Sequence, residues 1–275
     1  MNEKYSLVVH GAAGRMGRRV VALALQEDGC SLLAAVENKK HPALGQDAGL
    51  IAGTTAADVA LSADWPSNET PAVVIDFSLP DALPACLQQC LDAKWPLVVA
   101  TTGLSGDQQD TLRQAAATIP IVWAPSMSLA VNLCMRVSQQ ITSALQGVNG
   151  GIDIEILERH HRFKADAPSG TALRFGELIA EALTAGESGK DVRHVHGREG
   201  HTGQRQPNEI GYHAIRTGDN PGEHTIVFGM LGETVELKVA ASNRDCYAAG
   251  ALAAARWLTP DRPPGLYNMF DVLEV

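Results

Sequence analysis

The sequence predicts an α/β protein, a doubly wound parallel sheet with an inserted α+β domain, and three observations lead there. Uninterrupted apolar runs such as YSLVV and AVVIDF alternate with helical patterns through the first half, as strands covered on both faces require. A glycine-rich turn, HGAAGRMG, joins the first strand to the first helix, the junction found in a Rossmann-like nucleotide-binding unit. Beyond about Leu129 strand-like stretches come to follow one another without crossover helices, which points to an antiparallel or mixed sheet.

Taken in order, Tyr5 to Val9 reads as the first strand, RMGRRVVALALQE as the first helix, and Ser31 to Glu37 as the second strand. Ala72 to Phe77, Pro96 to Gly103 and Ile119 to Pro125 are the next strands, separated by the helices DALPACLQQCLDA and DQQDTLRQAAA. The second part opens on a long helix, SLAVNLCMRVSQQITSALQ, then the strand IDIEILERHH and a helix from about Gly170 to Leu183. After Gly- and charge-rich connections come the strands EIGYHAIR, EHTIVFGM and ETVELKVAA. The Ala-rich CYAAGALAAARWL reads as a helix suited to pack back on the first domain, and LTPDRPPGLYN as a Pro-rich connection near the end.

At 275 residues the chain exceeds the usual single-core size, so two domains are expected. Hydrophobic content of 45% against 19% charged residues fills a sizeable core. A formal charge of −9 and a pI near 5.4 argue against nucleic-acid or anionic-membrane partners, which need a cationic surface. No apolar run reaches the roughly 18 residues of a membrane span, and no signal-peptide pattern opens the chain. Cys30, Cys86, Cys90, Cys134 and Cys246 are odd in number and lack CxxC pairs, which fits free thiols in a reducing cytoplasm.

Gly11, Gly14 and Gly17 lie between the first strand and first helix, where backbone amides and the positive helix end receive a pyrophosphate. Glu37 follows 20 residues after Gly17, placed to accept hydrogen bonds from an adenosine ribose. The spacing is GxxGxxG, with Ala13 where the common fingerprint has its second glycine. Glu37 favours NADH, whereas Lys39, Lys40 or Arg15 would attract the 2′-phosphate of NADPH, so the cofactor is NADH or NADPH. DFSLPDA and ATTG extend this crevice, with Phe77 as either a ring contact or core, and with Thr101, Thr102 and Gly103 offering hydroxyls and backbone.

The segment ERHHRFKADAPSGTA concentrates Arg159, His160, His161, Arg162 and Lys164 in an acidic chain. On a strand the two histidines face opposite ways, and no third ligand stands at a recognisable spacing, so no metal is expected. Ser169 is a helix N-cap candidate, and exposed amides and hydroxyls at that helix start could hold a carboxylate, which makes Ser169 a substrate-binding candidate as well. The cluster reads either as a small-acid site, with histidine moving a proton, or as a cap whose cations are neutralised by Glu155, Glu158 and Asp166.

The segments GAAGRMG, VVATTG, APSMSLAVNL, ERHHRFKADAPSGTA, REGHTGQR, IGYHAIRTGDNPGEHTIVF and GALAAARWL, together with Glu37, resemble the 4-hydroxy-tetrahydrodipicolinate reductase (dihydrodipicolinate reductase) family. That resemblance implies NADH- or NADPH-dependent reduction of 4-hydroxy-tetrahydrodipicolinate in diaminopimelate and lysine biosynthesis, by a cytoplasmic homotetramer. Residues 1–129, completed by 244–275, would bind the dinucleotide, and 130–243 the substrate and neighbouring subunits. His160 is implied as proton donor and Lys164 as its cationic partner, with His161, Gly170 and Thr171 at substrate-contact positions. The implied cofactor contacts are Gly11, Ala12, Ala13, Gly14, Arg15, Met16, Glu37, Ala100, Thr101, Thr102, Ala124, Pro125, Ser126 and Met127. Ser126, Ala130, Asn38, Val239 and Asn243 depart from residues common in the family, while the His160/Lys164 pair is intact. Another amino-acid-pathway dehydrogenase, or a non-catalytic NAD(P) sensor, would account for the glycine turn but not for HHRFKADAPSGTA.

Overall fold

The computed structural model describes residues 4–67, 69–185, 191–259 and 262–275. The chain divides into two compact units, Met1–Leu129 with Arg244–Glu274, and Ala130–Asn243.

The first unit begins with β1 (Tyr5–His10), α1 (Arg15–Ala24), β2 (Cys30–Val36), the short α2 (Ala48–Ile51), β3 (Leu61–Ser62) and β4 (Val73–Asp76). It continues through α3 (Leu83–Ala93), β5 (Leu97–Val99), α4 (Gly106–Ala115) and β6 (Pro120–Trp123). The apolar strands are buried on both sides because two cores flank the sheet. Leu7 and Val9 of β1 face Val20, Val21, Ala251 and Ala255, whereas Val8 between them faces Val74, Leu87, Leu112 and Ile121. Lys94 ends α3 in the left-handed conformation (φ 54°), and Ser105 and Gln108 close a reciprocal cap at the start of α4.

The second unit contains α5 (Leu129–Leu145), β7 (Asp153–His160), α6 (Gly170–Thr184), β8 (Arg193–Val195), β9 (Glu209–Arg216), β10 (Glu223–Met230) and β11 (Glu233–Ala240). Its sheet is mixed, in the order β11-β10-β7-β9-β8, with β7 antiparallel to β10 and parallel to β9. Along β7 burial alternates, so Ile154, Ile156, Glu158 and His160 are covered while Glu155, Leu157 and Arg159 are less so. The expected strand through His161 stops at His160, because the chain then turns, with the Lys164 amide donating to the His161 carbonyl.

The chain then returns to the first unit as α7 (Asp245–Leu258), β12 (Gly265–Tyr267) and α8 (Met269–Leu273). The first sheet is parallel throughout, in the order β12-β6-β5-β4-β1-β2-β3. Ala248, Ala251, Ala254 and Ala255 of α7 are completely buried in its core. Within LTPDRPPGLYN, Pro260 and Asp261 lie outside the described residues, and Gly265–Tyr267 forms an edge strand where only a connection was expected. Three residues carry too little periodicity to announce a strand, as do the two of β3.

Candidate functional site

The first group of candidate residues gathers at the carboxyl ends of β1, β2, β4, β5 and β6. Gly11 takes φ +76°, and a Cβ there would stand 2.9 Å from the Phe77 carbonyl oxygen, so both conformation and space call for glycine. A Cβ on Gly17 would fall 2.1 Å from the Gly11 oxygen, which is why this helix can start so close beneath the turn. Arg18 Nε donates to the Ala13 carbonyl at 2.7 Å and braces the loop. Ala12 and Ala13 are buried, Gly14 and Arg15 are exposed, and Met16 packs against the core.

Glu37 turns back onto this loop. One carboxylate oxygen accepts the Ala13 amide at 3.0 Å and the other the Asn38 amide at 2.8 Å. Each oxygen keeps a second lone pair, so the carboxylate is oriented without being saturated, as a ribose acceptor must be. Ala13, the departure from the common fingerprint, therefore has a use for its amide that does not need a glycine. Lys39 and Lys40 are exposed. A dinucleotide fits this set: glycines clear the approach, the first amides of α1 are unused by the helix, and the carboxylate waits beside them.

Beneath the crevice lies a buried network with no forewarning in the motif reading. Asp76, wholly buried, accepts from the Ser78 amide at 3.1 Å and from Thr101 Oγ1 at 2.7 Å, and pairs with His10 Nδ1 at 2.7 Å. Thr101 thus spends its hydroxyl inside the protein, while Thr102 is exposed. Cys86 comes near enough to make a His10, Asp76, Cys86 group. The His10–Asp76 distance is that of a hydrogen bond, and both carboxylate oxygens have hydrogen-bond partners, so the arrangement reads as a satisfied buried acid. Phe77 packs against the core. Ala124 and Met127 are buried and Pro125 exposed, and the Met127 carbonyl lies so close to α7 that a Cβ on Gly250 would fall 1.7 Å from it. Met127 is 2% exposed, so it supports the crevice from beneath. Ser126 is half-buried.

The second group lies at the end of β7 and the start of α6. His160 Nδ1 is 2.6 Å from Glu158 Oε2, two residues back on the same strand face. Arg216 on β9, paired in register with His160 of β7, grips both Glu158 oxygens at 2.7 Å each. The Ser169 amide completes the carboxylate's shell at 3.0 Å. Ser169 caps α6 as expected, its hydroxyl accepting the Ala172 amide at 3.1 Å, and it also meets His224 Nε2 at 3.0 Å. The amides of Gly170 and Thr171 begin α6 and precede its own acceptors. Lys164 Nζ contacts both oxygens of the exposed Asp166, at 2.8 and 2.9 Å. His161 is half-buried, and its Nδ1 is buried without a hydrogen-bond partner among the described residues.

Electrostatics follow from this packing. Burial works to raise the Glu158 carboxyl, but hydrogen bonds from Arg216 and His160 outweigh it and hold it below its ordinary value. Burial lowers the His160 imidazole against the opposing pull of Glu158. Burial, then the charge on His160, pushes His224 down to about 4. The neutralisation expected from sequence is met in part, Asp166 pairing with Lys164 and Glu158 with His160, while the other partners come from elsewhere in the chain. Glu158 is held by Arg216 and His160, Arg159 pairs with Glu223, and Glu155 is bound by Arg198, Arg205 and His213. His10, Asp76, Arg216 and His224 escaped the sequence reading. Only the pairing of Glu158 with His160 had a local signal, the two-residue strand period.

A family model described as "Dihydrodipicolinate reductase, N-terminus" matches residues 5–127, and one described as "Dihydrodipicolinate reductase, C-terminus" matches 130–273. A protein of Rhodopirellula baltica named 4-hydroxy-tetrahydrodipicolinate reductase is 63% identical over 272 residues, covering 98% of this chain and 95% of its own. One of the same name from Halorhodospira halophila is 43% identical, covering 96% and 97%. Among solved structures, a dipicolinate-bound dihydrodipicolinate reductase from Paenisporosarcina sp. TG-14 matches with TM-score 0.75 and 20% identity over 98% of both chains. An amine dehydrogenase from Mycobacterium smegmatis shares the fold at TM-score 0.61 and 14% identity, covering 96% and 95%. Among the described residues no helix is long and apolar enough to cross a membrane.

Proposed function

The chain belongs to the dihydrodipicolinate reductase family of NAD(P)H-dependent oxidoreductases, and on that premise we propose that His160 and Lys164 carry its chemistry while the Gly11–Met16 turn and Glu37 hold its nucleotide. The reaction is the reduction of 4-hydroxy-tetrahydrodipicolinate in lysine and diaminopimelate biosynthesis. Dipicolinate in the Paenisporosarcina protein supports a flat cyclic dicarboxylate as the ligand of this chain as well.

The Gly11–Met16 turn would hold the pyrophosphate of the dinucleotide, whose reduced nicotinamide would supply a hydride. The chain's own residues must then anchor two carboxylates and deliver one proton. The amides of Gly170 and Thr171 at the head of α6, with the buried Nδ1 of His161, offer donors to one carboxylate. Lys164, paired with the exposed Asp166, exchanges that partner for a carboxylate of the substrate. Water leaves the hydroxylated ring, and His160, in its imidazolium form, donates a proton to the resulting unsaturated ring as the hydride arrives. Ala100, Thr101, Thr102 and residues 124–127 shape the nucleotide crevice, Thr101 by tying its loop to Asp76.

One observation carries the assignment: a histidine backed by a buried carboxylate at 2.6 Å, beside a lysine and an uncommitted helix start. The test follows loss of nicotinamide absorbance with freshly generated 4-hydroxy-tetrahydrodipicolinate, run with NADH and with NADPH. His160→Gln lowers kcat by roughly a hundredfold or more with cofactor binding intact. Activity falls on the alkaline side as His160 loses its proton. A flat profile across histidine titration, or a fully active His160→Gln enzyme, refutes the assignment. A cytoplasmic homotetramer completes the proposal by family likeness, and a sedimentation mass near 29.1 kDa would remove the tetramer.

A further inference from the structure

We infer that Glu158 is a positioning residue of the reaction: it holds His160 with Nδ1–H turned inward, so that Nε2 alone exchanges the proton with substrate. The inference rests on the reading of His160 as proton donor and extends it to a side chain that meets no ligand, since Glu158 is 1% exposed.

An ionised carboxylate only accepts, and Arg216 with His160 keeps Glu158 ionised. The hydrogen between Nδ1 and Oε2 therefore belongs to the imidazole in both of its charge states. It follows that neutral His160 carries its one proton on Nδ1, and that the proton gained and lost is the one on Nε2. A carboxylate free to rotate could not enforce this. Glu158 is fixed by two Arg216 bonds at 2.7 Å from β9 and by the Ser169 amide at 3.0 Å from the cap of α6. Arg216 is anchored in turn by the Asp166 carbonyl at 2.6 Å.

At the opposite edge of the ring the chain passes close by, with room for glycine alone. Gly222 precedes β10 at φ +151°, and a Cβ there would stand 2.9 Å from His160 Nε2. Among the described residues no hydrogen bond to Nε2 is found, in contrast to the short bond at Nδ1. One edge of the imidazole is thus clamped by a hydrogen bond and the other left without one, the asymmetry a directed proton donor needs.

The charged groups facing His160 are Glu158 from its own strand, Arg216 from β9, Lys164 from the loop that follows β7, and His224 from β10 with ring centroids 5.3 Å apart. His224 is held neutral by burial. Lys164, Arg216 and burial all disfavour the imidazolium, and Glu158 alone among these groups favours it. Neutralising Glu158 without changing its shape should therefore lower the proton affinity of His160, and a purely structural role for Glu158 would not.

The experiment compares kcat and KM against pH for the wild type, Glu158→Gln, Glu158→Asp and His160→Gln in the full-length enzyme. Glu158→Gln should move the alkaline limb of kcat/KM acidward by about one unit and cut kcat above that limb by about tenfold, with substrate KM changed less than about threefold. Glu158→Asp, which restores the charge one methylene short, should bring the limb part of the way back. An unchanged limb in Glu158→Gln, with His160→Gln still crippled, overturns the positioning role alone. An active His160→Gln enzyme overturns the reading beneath it. Should Glu158→Gln not fold, imidazole ¹⁵N shifts of the wild type, assigned by difference from His160→Gln, decide the matter. Neutral His160 protonated at Nδ1 supports the inference, and protonation at Nε2 overturns it.

Discussion

Acidification should destabilise this protein through His224 before its carboxylates are titrated. His224 is 4% exposed on the covered face of β10, and burial takes its pKa from an ordinary 6.5 down to about 4. Between those two values the unfolded chain binds a proton at this position and the native chain does not, so the native state loses ground as pH falls. The contribution is complete above about 6.5 and disappears as pH passes below about 4. That interval, at about 1.4 kcal/mol per unit, amounts to roughly 3 kcal/mol, a large fraction of the 5–15 kcal/mol typical of a folded domain. The assay is equilibrium urea unfolding at one protein concentration, at half-unit steps from pH 7.5 to 4.5, on the wild type and on His224→Gln. Glutamine keeps a polar group near Ser169 Oγ and cannot ionise, so the difference between the two curves cancels the other titrating groups. The expected difference grows toward acid, with the variant less pH-sensitive. Parallel curves for the two proteins would refute the reasoning, because the buried imidazole would then be taking up its proton as easily as it does in water.

Two further predictions concern the first unit. Gly17→Ala places a methyl 2.1 Å from the Gly11 oxygen and 2.7 Å from the Ala12 Cα, both backbone atoms that cannot step aside, so the turn must deform. Nucleotide dissociation constants measured by fluorescence titration should rise at least about tenfold, and unchanged binding would show that the turn does not carry the pyrophosphate. Glu37→Ala removes the acceptor that Ala13 and Asn38 orient. NADH should bind about tenfold more weakly while NADPH, relieved of a like charge, loses less or gains, and equal losses for both would take the ribose away from this carboxylate.

Much of the first unit was legible in the sequence because its strands are buried on both faces and its crossovers are helical, so each element announces itself within ten or so residues. Gly11, Gly14, Gly17 and Glu37 were legible for a related reason: they sit on one strand-turn-helix-strand segment of fixed local geometry. The short edge strands β3 and β12 were not, since their two and three residues gain their identity only by pairing with β2 and β6.

The contrast is sharpest at the second group. Sequence by itself determined that a glycine turn faces a carboxylate, that Ser169 caps a helix, and that His160 and Lys164 belong to one short segment. Tertiary structure decided which charges meet. Arg216 reaches Glu158 across 58 positions of chain, His224 reaches Ser169 across 55, and His10 reaches Asp76 across 66. Each meeting depends on strand register: β7 lies between β10 and β9, placing His224 opposite Glu158 and Arg216 opposite His160. Local periodicity says which face of a strand a residue occupies, but the neighbour on that face is chosen by pairing between segments far apart in sequence, because register is a property of two strands and not of either one.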